Sequence, residues 1–333
     1  MPPTLIQAYA PLIFWPGLGL ILFHVLPQTF PRFLGRTLYW VGVPIEIFSL
    51  ARNADLSGNV GLTPMITVGA LGLGLGLAWM SWSGLQWLAS LESLRWGIDA
   101  QSLFGARHGD NDRPSQGSFI LTTMLGNTGF VGLAIVPVLV SDRYLSWAVF
   151  YSVTQNILGT YGLGVFLASY FGQTQQPDRW WLHLRDVMAV PSLWAFTLGI
   201  STRTFALSET AEWGLRQAVW VIIPMALLLM GMRLSQMLSW NSLRLAIVPT
   251  LLKMLVVPGL VGIIVTLLGL SAEACLILVL MSGMPTAFAN LILAEEYNLN
   301  RDLIVSAIAL TTVLLLAAIP LWLMLFGNVY WGM

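Results

Sequence analysis

The sequence predicts an all-α polytopic membrane protein with ten transmembrane helices, arranged as an inverted repeat of five plus five. Composition is the first reason: 57% of the 333 residues are hydrophobic and 9% are charged, against about 25% charged in an ordinary soluble domain. The second is a series of ten apolar runs near the roughly 20 residues that cross a bilayer. The third is a pair of matching interruptions, at 126–133 and 284–291, inside two of those runs.

The ten predicted spans lie in two groups, separated by the polar stretch at 173–179. The first five cover 5–26, 37–51, 62–88, 117–140 and 145–170, and the second five cover 186–205, 213–232, 243–270, 274–294 and 303–326. The predicted units are therefore a first repeat at 1–170, a cytoplasmic linker at 171–185 and a second repeat at 186–333.

Arginine residues predict the orientation of the spans. With ten spans, ten arginines fall in loops on one side and four on the other, and the single lysine lies inside a span. The positive-inside rule places the arginine-rich side in the cytoplasm and both termini outside.

Charge and residue usage argue against several other classes of protein. Fifteen basic and fifteen acidic residues give a formal net charge of zero, so nothing indicates a nucleic-acid partner. Cys275 is the only cysteine, which excludes an internal disulfide, and the three histidines are far apart in sequence. We therefore expect neither a metal site nor a cofactor.

The two halves match at three pairs of positions, Pro11 with Pro191, Pro44 with Pro224, and Thr128 with Thr286. The first two pairs are 180 residues apart and the third is 158 apart, because the long loop after span 3 extends the first half. Since each half has five spans, an odd number, the second must enter the membrane from the opposite side.

The interruptions in spans 4 and 9 predict a cavity that binds a ligand. Each frees backbone groups that hydrocarbon cannot satisfy, so these helices should face protein or water. Broken helices at corresponding positions of two halves mark the substrate site of secondary transporters. The sequence therefore favours a transporter.

The same motifs resemble those of the auxin efflux carrier family of bacterial and plant membrane transporters. The stretch 126–133 (GNTGFVGL) is similar to the first crossover motif of the family, and 284–287 (MPTA) with 293–297 (LAEEY) to its second. The stretches 231–234 (GMRL) and 319–322 (IPLW) resemble parts of its seventh and last spans. The resemblance covers essentially the whole chain.

The resemblance implies a scaffold of spans 1, 2, 6 and 7 and a transport domain of spans 3–5 and 8–10, in which the broken spans cross. It also implies an elevator-like movement, a homodimer formed through the scaffold, and cargo such as auxin-like carboxylates or malate-like dicarboxylates. We therefore expect a secondary active or facilitative transporter of a small organic anion, in contact with lipid in a bacterial cytoplasmic (inner) membrane. Uniport, proton coupling and sodium coupling all stay open.

One position departs from the pattern of the family. Many members have a proline where this chain has Ala134, and the nearest proline here is Pro137. We therefore expect the break in span 4 to rest on Gly129 and Gly132 alone, or to lie nearer the end of the span.

Polar residues at the breaks are the candidate substrate ligands. Asn127 and Thr128 offer an amide and a hydroxyl at a half-helix N-terminus, where backbone N–H groups and the helix dipole favour a carboxylate. Alternatively, they only cap the break. The other candidates are Gly129, Pro285, Thr286, Ala287 and Asn290, with Gln155 and Asn156 of span 5 as further contributors to the cavity.

Two charged residues inside spans are also candidates. Lys253 lies in span 8, either as a counter-charge for an anionic substrate or as a side chain that snorkels to the cytoplasmic interface. Glu46 lies in span 2, two residues after Pro44. Glu46 can carry a coupling proton, pair with Lys253, or serve as a structural carboxyl group.

Other functions have less support in the sequence. An intramembrane enzyme needs a nucleophile and base, a carboxylate pair or a metal cluster within the spans, and the chain has no HExxH or GxSxG motif and no pair of mid-membrane aspartates. A channel is disfavoured because two capped breaks indicate an occluding site. A ligand-binding membrane sensor or receptor, which keeps the carrier fold without transport, is the remaining alternative.

Overall fold

The chain is helical throughout the residues that the computed structural model describes, which are 3–27, 29–53, 60–96, 113–172, 191–235 and 243–327. Helices and turns make up these ranges, apart from one isolated antiparallel bridge between Gly126 and Thr286.

Twelve helices follow one another in the described ranges. In chain order they are α1 (Pro3–Val25), α2 (30–52), α3 (Thr63–Trp96), α4 (Arg113–Met124), α5 (Thr128–Leu139), α6 (145–171), α7 (Pro191–Ser201), α8 (Glu209–Ser235), α9 (Leu243–Leu267), α10 (Ala272–Ser282), α11 (Ala289–Glu296) and α12 (Arg301–Phe326).

Several helices have the length and composition of membrane spans. Four apolar segments of the described residues are long enough to cross a bilayer, namely Val60–Leu88 in and before α3, and α8, α9 and α12. Shorter apolar helices are Ile13–Val25, α5 and α10. These segments indicate an integral membrane protein, whereas the count of ten spans and their inverted topology stay predictions.

The predicted spans 4 and 9 are each divided into two helices, α4 with α5 and α10 with α11. The first break covers 125–127 and the second covers 283–288. The first break lies earlier in the chain than we expected from the absence of a proline at Ala134. Gly129 and Gly132 lie inside the first turn of α5, and Pro137 lies near its end, so neither the two glycines nor this proline is where the helix stops.

Helices α1, α2, α7 and α8 pack on one another: α8 against α1 and α2, and α7 along the second half of α2. The backbones of α1 and α8 touch. A Cβ atom at Gly231 would lie 2.0 Å from the carbonyl oxygen of Pro16, and one at Gly19 would lie 2.2 Å from that of Leu228. Small residues commonly allow such close contact between membrane helices.

Helices α3–α6 and α9–α12 form a second group. Helix α3 packs on α4 and α6, α9 on α10 and α12, and α12 on α4. The two groups share a core, in which Ile47 of α2 and Leu227 of α8 join Val131 of α5. The division into two repeats, and the roles of these two groups as scaffold and transport domain, stay predictions. The predicted linker at 171–185 lies, from residue 173 on, outside the described residues.

Four helices contain π-helical turns, which are Leu38–Gly42 in α2, Thr128–Gly132 in α5, Gln155–Gly164 in α6 and Leu252–Val256 in α9. Such turns often occur at functional sites. Three of them hold or adjoin candidate residues, since Asn127 precedes the turn of α5, Gln155 begins that of α6 and Lys253 lies in that of α9.

Candidate functional site

The two breaks meet and pair through their backbones. The N–H of Asn127 donates to the carbonyl oxygen of Pro285 at 2.6 Å, and the N–H of Ala287 donates to that of Leu125 at 3.0 Å. Backbone groups released from four helix ends thereby find protein partners, as the interior of a bilayer requires. The structure thus brings the two predicted motifs to one place, which we call the crossing.

Asn127 caps the N-terminus of α5. Its Oδ1 accepts a hydrogen bond from the N–H of Phe130 at 3.2 Å, and the residue is 6% exposed. Asn127 therefore does cap the break, as one of the two alternatives in the sequence analysis predicts. The cap uses only the oxygen of the amide, so the NH₂ group has the chemistry to donate to a ligand as well.

Gln155 of α6 holds the first break from the side. Its Nε2 donates to the carbonyl oxygen of Gly126 at 2.5 Å and to Oγ1 of Thr128 at 3.3 Å. Thr128 is 1% exposed, so its hydroxyl faces this contact rather than solvent. The Oε1 atom of Gln155 is buried and has no hydrogen-bond partner within the described ranges.

The second break is tied to α4 and α12. The N–H of Thr286 donates to Oγ1 of Thr311 at 3.1 Å, and its own hydroxyl donates to the carbonyl oxygen of Thr122 at 3.1 Å. Nδ2 of Asn290 donates to the carbonyl oxygen of Leu121 at 3.0 Å. Both Thr286 and Asn290 are fully buried, so in this structure they join helices to each other.

Lys253 also lies at the crossing. Its Nζ donates to the carbonyl oxygen of Met124, the last residue of α4, at 3.2 Å. The residue is 2% exposed, so the snorkelling alternative does not describe it. A Cβ atom at Gly126 would lie 3.0 Å from Nζ, which shows how closely the ammonium approaches the break. The positive charge stands at the negative end of the α4 dipole.

Glu46 lies buried in α2 at 2% exposure, and its Oε1 has no hydrogen-bond partner in the part of the chain that the structure describes. It forms no ion pair with Lys253, whose ammonium donates to a backbone carbonyl instead. The pairing that the sequence allowed is therefore not formed. Glu46 follows Val43 by one helical turn, on the side of α2 that approaches α5.

Gly129, beside the first break, is partly exposed and has polar neighbours. A Cβ atom at Gly129 would lie 3.6 Å from Nδ2 of Asn156, 3.8 Å from Oγ of Ser152 and 4.0 Å from Cγ1 of Val43. Gly129 and Asn156 are half-buried, and the buried hydroxyl of Ser152 has no hydrogen-bond partner among the residues described. We call the partly exposed region between these four residues the Gly129 cleft.

Three polar contributors escaped the sequence analysis: Thr122, Ser152 and Thr311. Hydroxyls within apolar helices commonly bond to a carbonyl of their own helix, as Thr311 also does with Ala307 at 2.7 Å, so their presence alone predicts no site. For Thr311, the spacing in the sequence could have indicated a role at the break. It follows Thr286 by 25 residues, much as Gln155 follows Thr128 by 27, and both lie on the helix after a broken span.

The electrostatics of the crossing suit an anion. The N-terminus of α5 and the ammonium of Lys253 are positive, and the other side chains that contribute are amides and hydroxyls. The described residues contain no cluster of three or more His, Cys, Asp or Glu side chains that could hold a metal ion.

Comparisons with known proteins point to membrane transport. A family model described as membrane transport protein matches residues 180–323. An uncharacterised transporter of Methanothermobacter thermautotrophicus is 26% identical over 312 residues, which are 92% of this chain and 93% of the relative. An uncharacterised transporter of Methanocaldococcus jannaschii is 26% identical over 211 residues, 62% of this chain and 67% of the relative.

The matched regions include the residues of the crossing. The family model spans the second break and Lys253, and the first relative extends the match over nearly the whole chain. Both relatives are archaeal, so a bacterial membrane stays a prediction. The resemblance found in the sequence is confirmed by this family model, which is that of the auxin efflux carriers, and by two relatives that are named transporters.

Proposed function

We propose that this protein carries a small organic anion across the cytoplasmic membrane and binds it in the Gly129 cleft, beside the crossing. The observation that carries the proposal is the meeting of two broken helices, at a point where a buried ammonium and a helix N-terminus supply positive charge. The match of residues 180–323 to a membrane transport family supports carriage across the membrane rather than binding alone.

The residues of the site divide into three groups by their contacts. Gly129, Ser152 and Asn156 bound the cleft together with Val43, and Asn127 caps the helix beside it. The amide and hydroxyl groups among them can donate to a carboxylate. Lys253 adds long-range attraction for an anion, because its charge is buried and weakly screened. The remaining candidates hold the crossing together, namely Thr128, Pro285, Thr286, Ala287 and Asn290.

The movement we propose is elevator-like. Both breaks, and every side chain that ties them, belong to α3–α6 and α9–α12. These helices would then move as one transport domain past a scaffold of α1, α2, α7 and α8. Two scaffolds would pair in a homodimer, with both termini outside the cell.

Glu46 is our candidate for a coupling proton. It lies on α2 of the proposed scaffold, near the level of the Gly129 cleft, and a carboxyl group buried without a counter-ion is suited to bind and release a proton. Sodium coupling stays open beside it, since the backbone carbonyls of broken helices can also bind this ion.

Charge movement in proteoliposomes on a solid-supported membrane tests the proposal. Concentration jumps of malate, malonate, succinate and indole-3-acetate are applied with and without sodium and pH gradients. We expect a saturable current for one class of anion, and its dependence on either gradient decides the coupling. If current and tracer flux are both absent while an anion raises the thermal stability, the sensor alternative replaces the carrier.

A further inference from the structure

A pair of tyrosines joins the two groups of helices directly. The side-chain hydroxyls of Tyr39 and Tyr161 are hydrogen-bonded to each other, and either one can donate. Tyr39 lies in the π-helical turn of α2, and Tyr161 lies in that of α6. Both side chains are half-buried. The bond therefore links the proposed scaffold to the proposed transport domain.

The helical register places this pair next to the Gly129 cleft. A π-helix pairs residues i and i+5, so Tyr161 stands one π turn beyond Asn156 on the same face of α6. Tyr39 precedes Val43 by four residues and shares its face of α2. Asn156 bounds the cleft from α6 and Val43 bounds it from α2. The tyrosine pair thus spans the same gap one turn further along.

The tyrosine pair lies on the arginine-rich side of the cleft. Tyr39 lies on the N-terminal side of Val43, toward Arg32 and Arg36. Tyr161 lies on the C-terminal side of Asn156, toward the end of α6 where Arg113 stacks over the ring of Tyr170 at 5.1 Å. By the positive-inside rule this side is cytoplasmic.

We propose that Tyr39 and Tyr161 form a gate, which closes the cytoplasmic entrance of the Gly129 cleft in the conformation of this structure. The inference rests on the proposed function, because movement of one helix group past the other must break this hydrogen bond. The gate opens when the hydroxyls separate and exchange their mutual bond for water. Loss of either hydroxyl therefore breaks the bond that joins the two helix groups.

Cysteine labelling tests the gate without any need for a substrate. The only cysteine of the chain is first removed by Cys275→Ser. Asn156→Cys is then introduced, so that labelling of this new thiol reports access to the cleft. A membrane-impermeant maleimide is applied to the cytoplasmic side of oriented vesicles. We expect Tyr39→Phe and Tyr161→Phe each to speed labelling about fivefold, as loss of one neutral hydrogen bond predicts. Because they share that bond, the double variant should speed labelling by less than the product of the two single effects.

Tyr170→Phe on the same helix is the matched control, since it also removes a tyrosine hydroxyl but lies outside the gate, and it should leave labelling unchanged. Unchanged labelling in both gate variants, multiplied effects in the double variant, or acceleration only from the opposite side would each overturn the gate. Because labelling needs no flux, the result is independent of whether the anion-carrier proposal succeeds.

Discussion

At the residue scale, Asn127 combines a structural contact with a proposed contact to substrate. Its Oδ1 caps α5, while its NH₂ group is available for a carboxylate. Asn127→Ser keeps a capping oxygen but removes the amide donors, whereas Asn127→Ala removes both. We expect both variants to lose at least about tenfold in flux, as loss of a charge-assisted hydrogen bond implies, and only Asn127→Ala to lose stability, by about 1 kcal/mol.

Tracer flux and thermal unfolding of the purified variants separate the two contributions of Asn127. Flux at the wild-type level in Asn127→Ser would show that the residue acts as a cap alone. The proposed ligand set would then lose its first member.

Lys253 is the residue for which structure changes the expectation most. Its ammonium is the donor to the carbonyl oxygen of Met124, so Lys253→Met should cost about 1–3 kcal/mol of stability by leaving that buried acceptor unpaired. Lys253→Gln retains a donor but no charge, and it should be less destabilised. Both should bind the anion more weakly, as isothermal titration can measure. Wild-type affinity in both variants would contradict the electrostatic contribution of Lys253.

Glu46 tests coupling separately from carriage. Glu46→Gln keeps the shape and polarity of the side chain but cannot bind and release a proton. We expect exchange of anion between two equal pools to continue, and a pH gradient to stop driving net uptake. Net uptake that still follows the pH gradient in Glu46→Gln would place the coupling proton elsewhere.

At the scale of elements, the contact between α1 and α8 depends on a glycine. A methyl group at Gly231 would meet the Pro16 backbone at 2.0 Å, so Gly231→Ala should force the helices apart at a cost of about 1–3 kcal/mol. Gly214 lies on the same helix with nothing within 4 Å of its Cβ position. Gly214→Ala should be neutral or stabilising by up to about 1 kcal/mol, since alanine favours helix.

Thermal unfolding of the two glycine variants in the same detergent makes this comparison directly. Equal melting temperatures for Gly231→Ala and Gly214→Ala would contradict the close contact between α1 and α8.

The breaks show what sequence patterns can and cannot predict about an element. Gly126, Asn127 and Pro285 in apolar runs predicted both interruptions, because such residues have no reason to occur together on a lipid-facing helix. The pattern did not predict that the first break is confined to residues 125–127. Backbone hydrogen bonds to a segment about 160 residues away set the position of this break. The expectation drawn from Ala134 was therefore wrong, because it considered only nearby residues.

At the scale of the whole molecule, the matched proline and threonine pairs predicted two related halves, and their broken helices do meet. The sequence did not allow us to predict the hydrogen-bond partner of Lys253, the burial of Thr286 and Asn290, or the bond between Tyr39 and Tyr161. Each depends on how helices far apart in the chain face one another, which local periodicity does not encode. Family and membrane location were within reach of motifs and composition.

The central claim is that the whole molecule carries an organic anion, whatever its coupling. Tracer counterflow tests this most directly, because vesicles loaded with an unlabelled anion draw in the labelled one through a carrier even without a driving gradient. We predict transient accumulation of labelled malate, malonate, succinate or indole-3-acetate, which saturates and is lost in Asn127→Ala. If no anion accumulates in vesicles that contain folded wild-type protein, the account of this protein as an organic-anion carrier is contradicted.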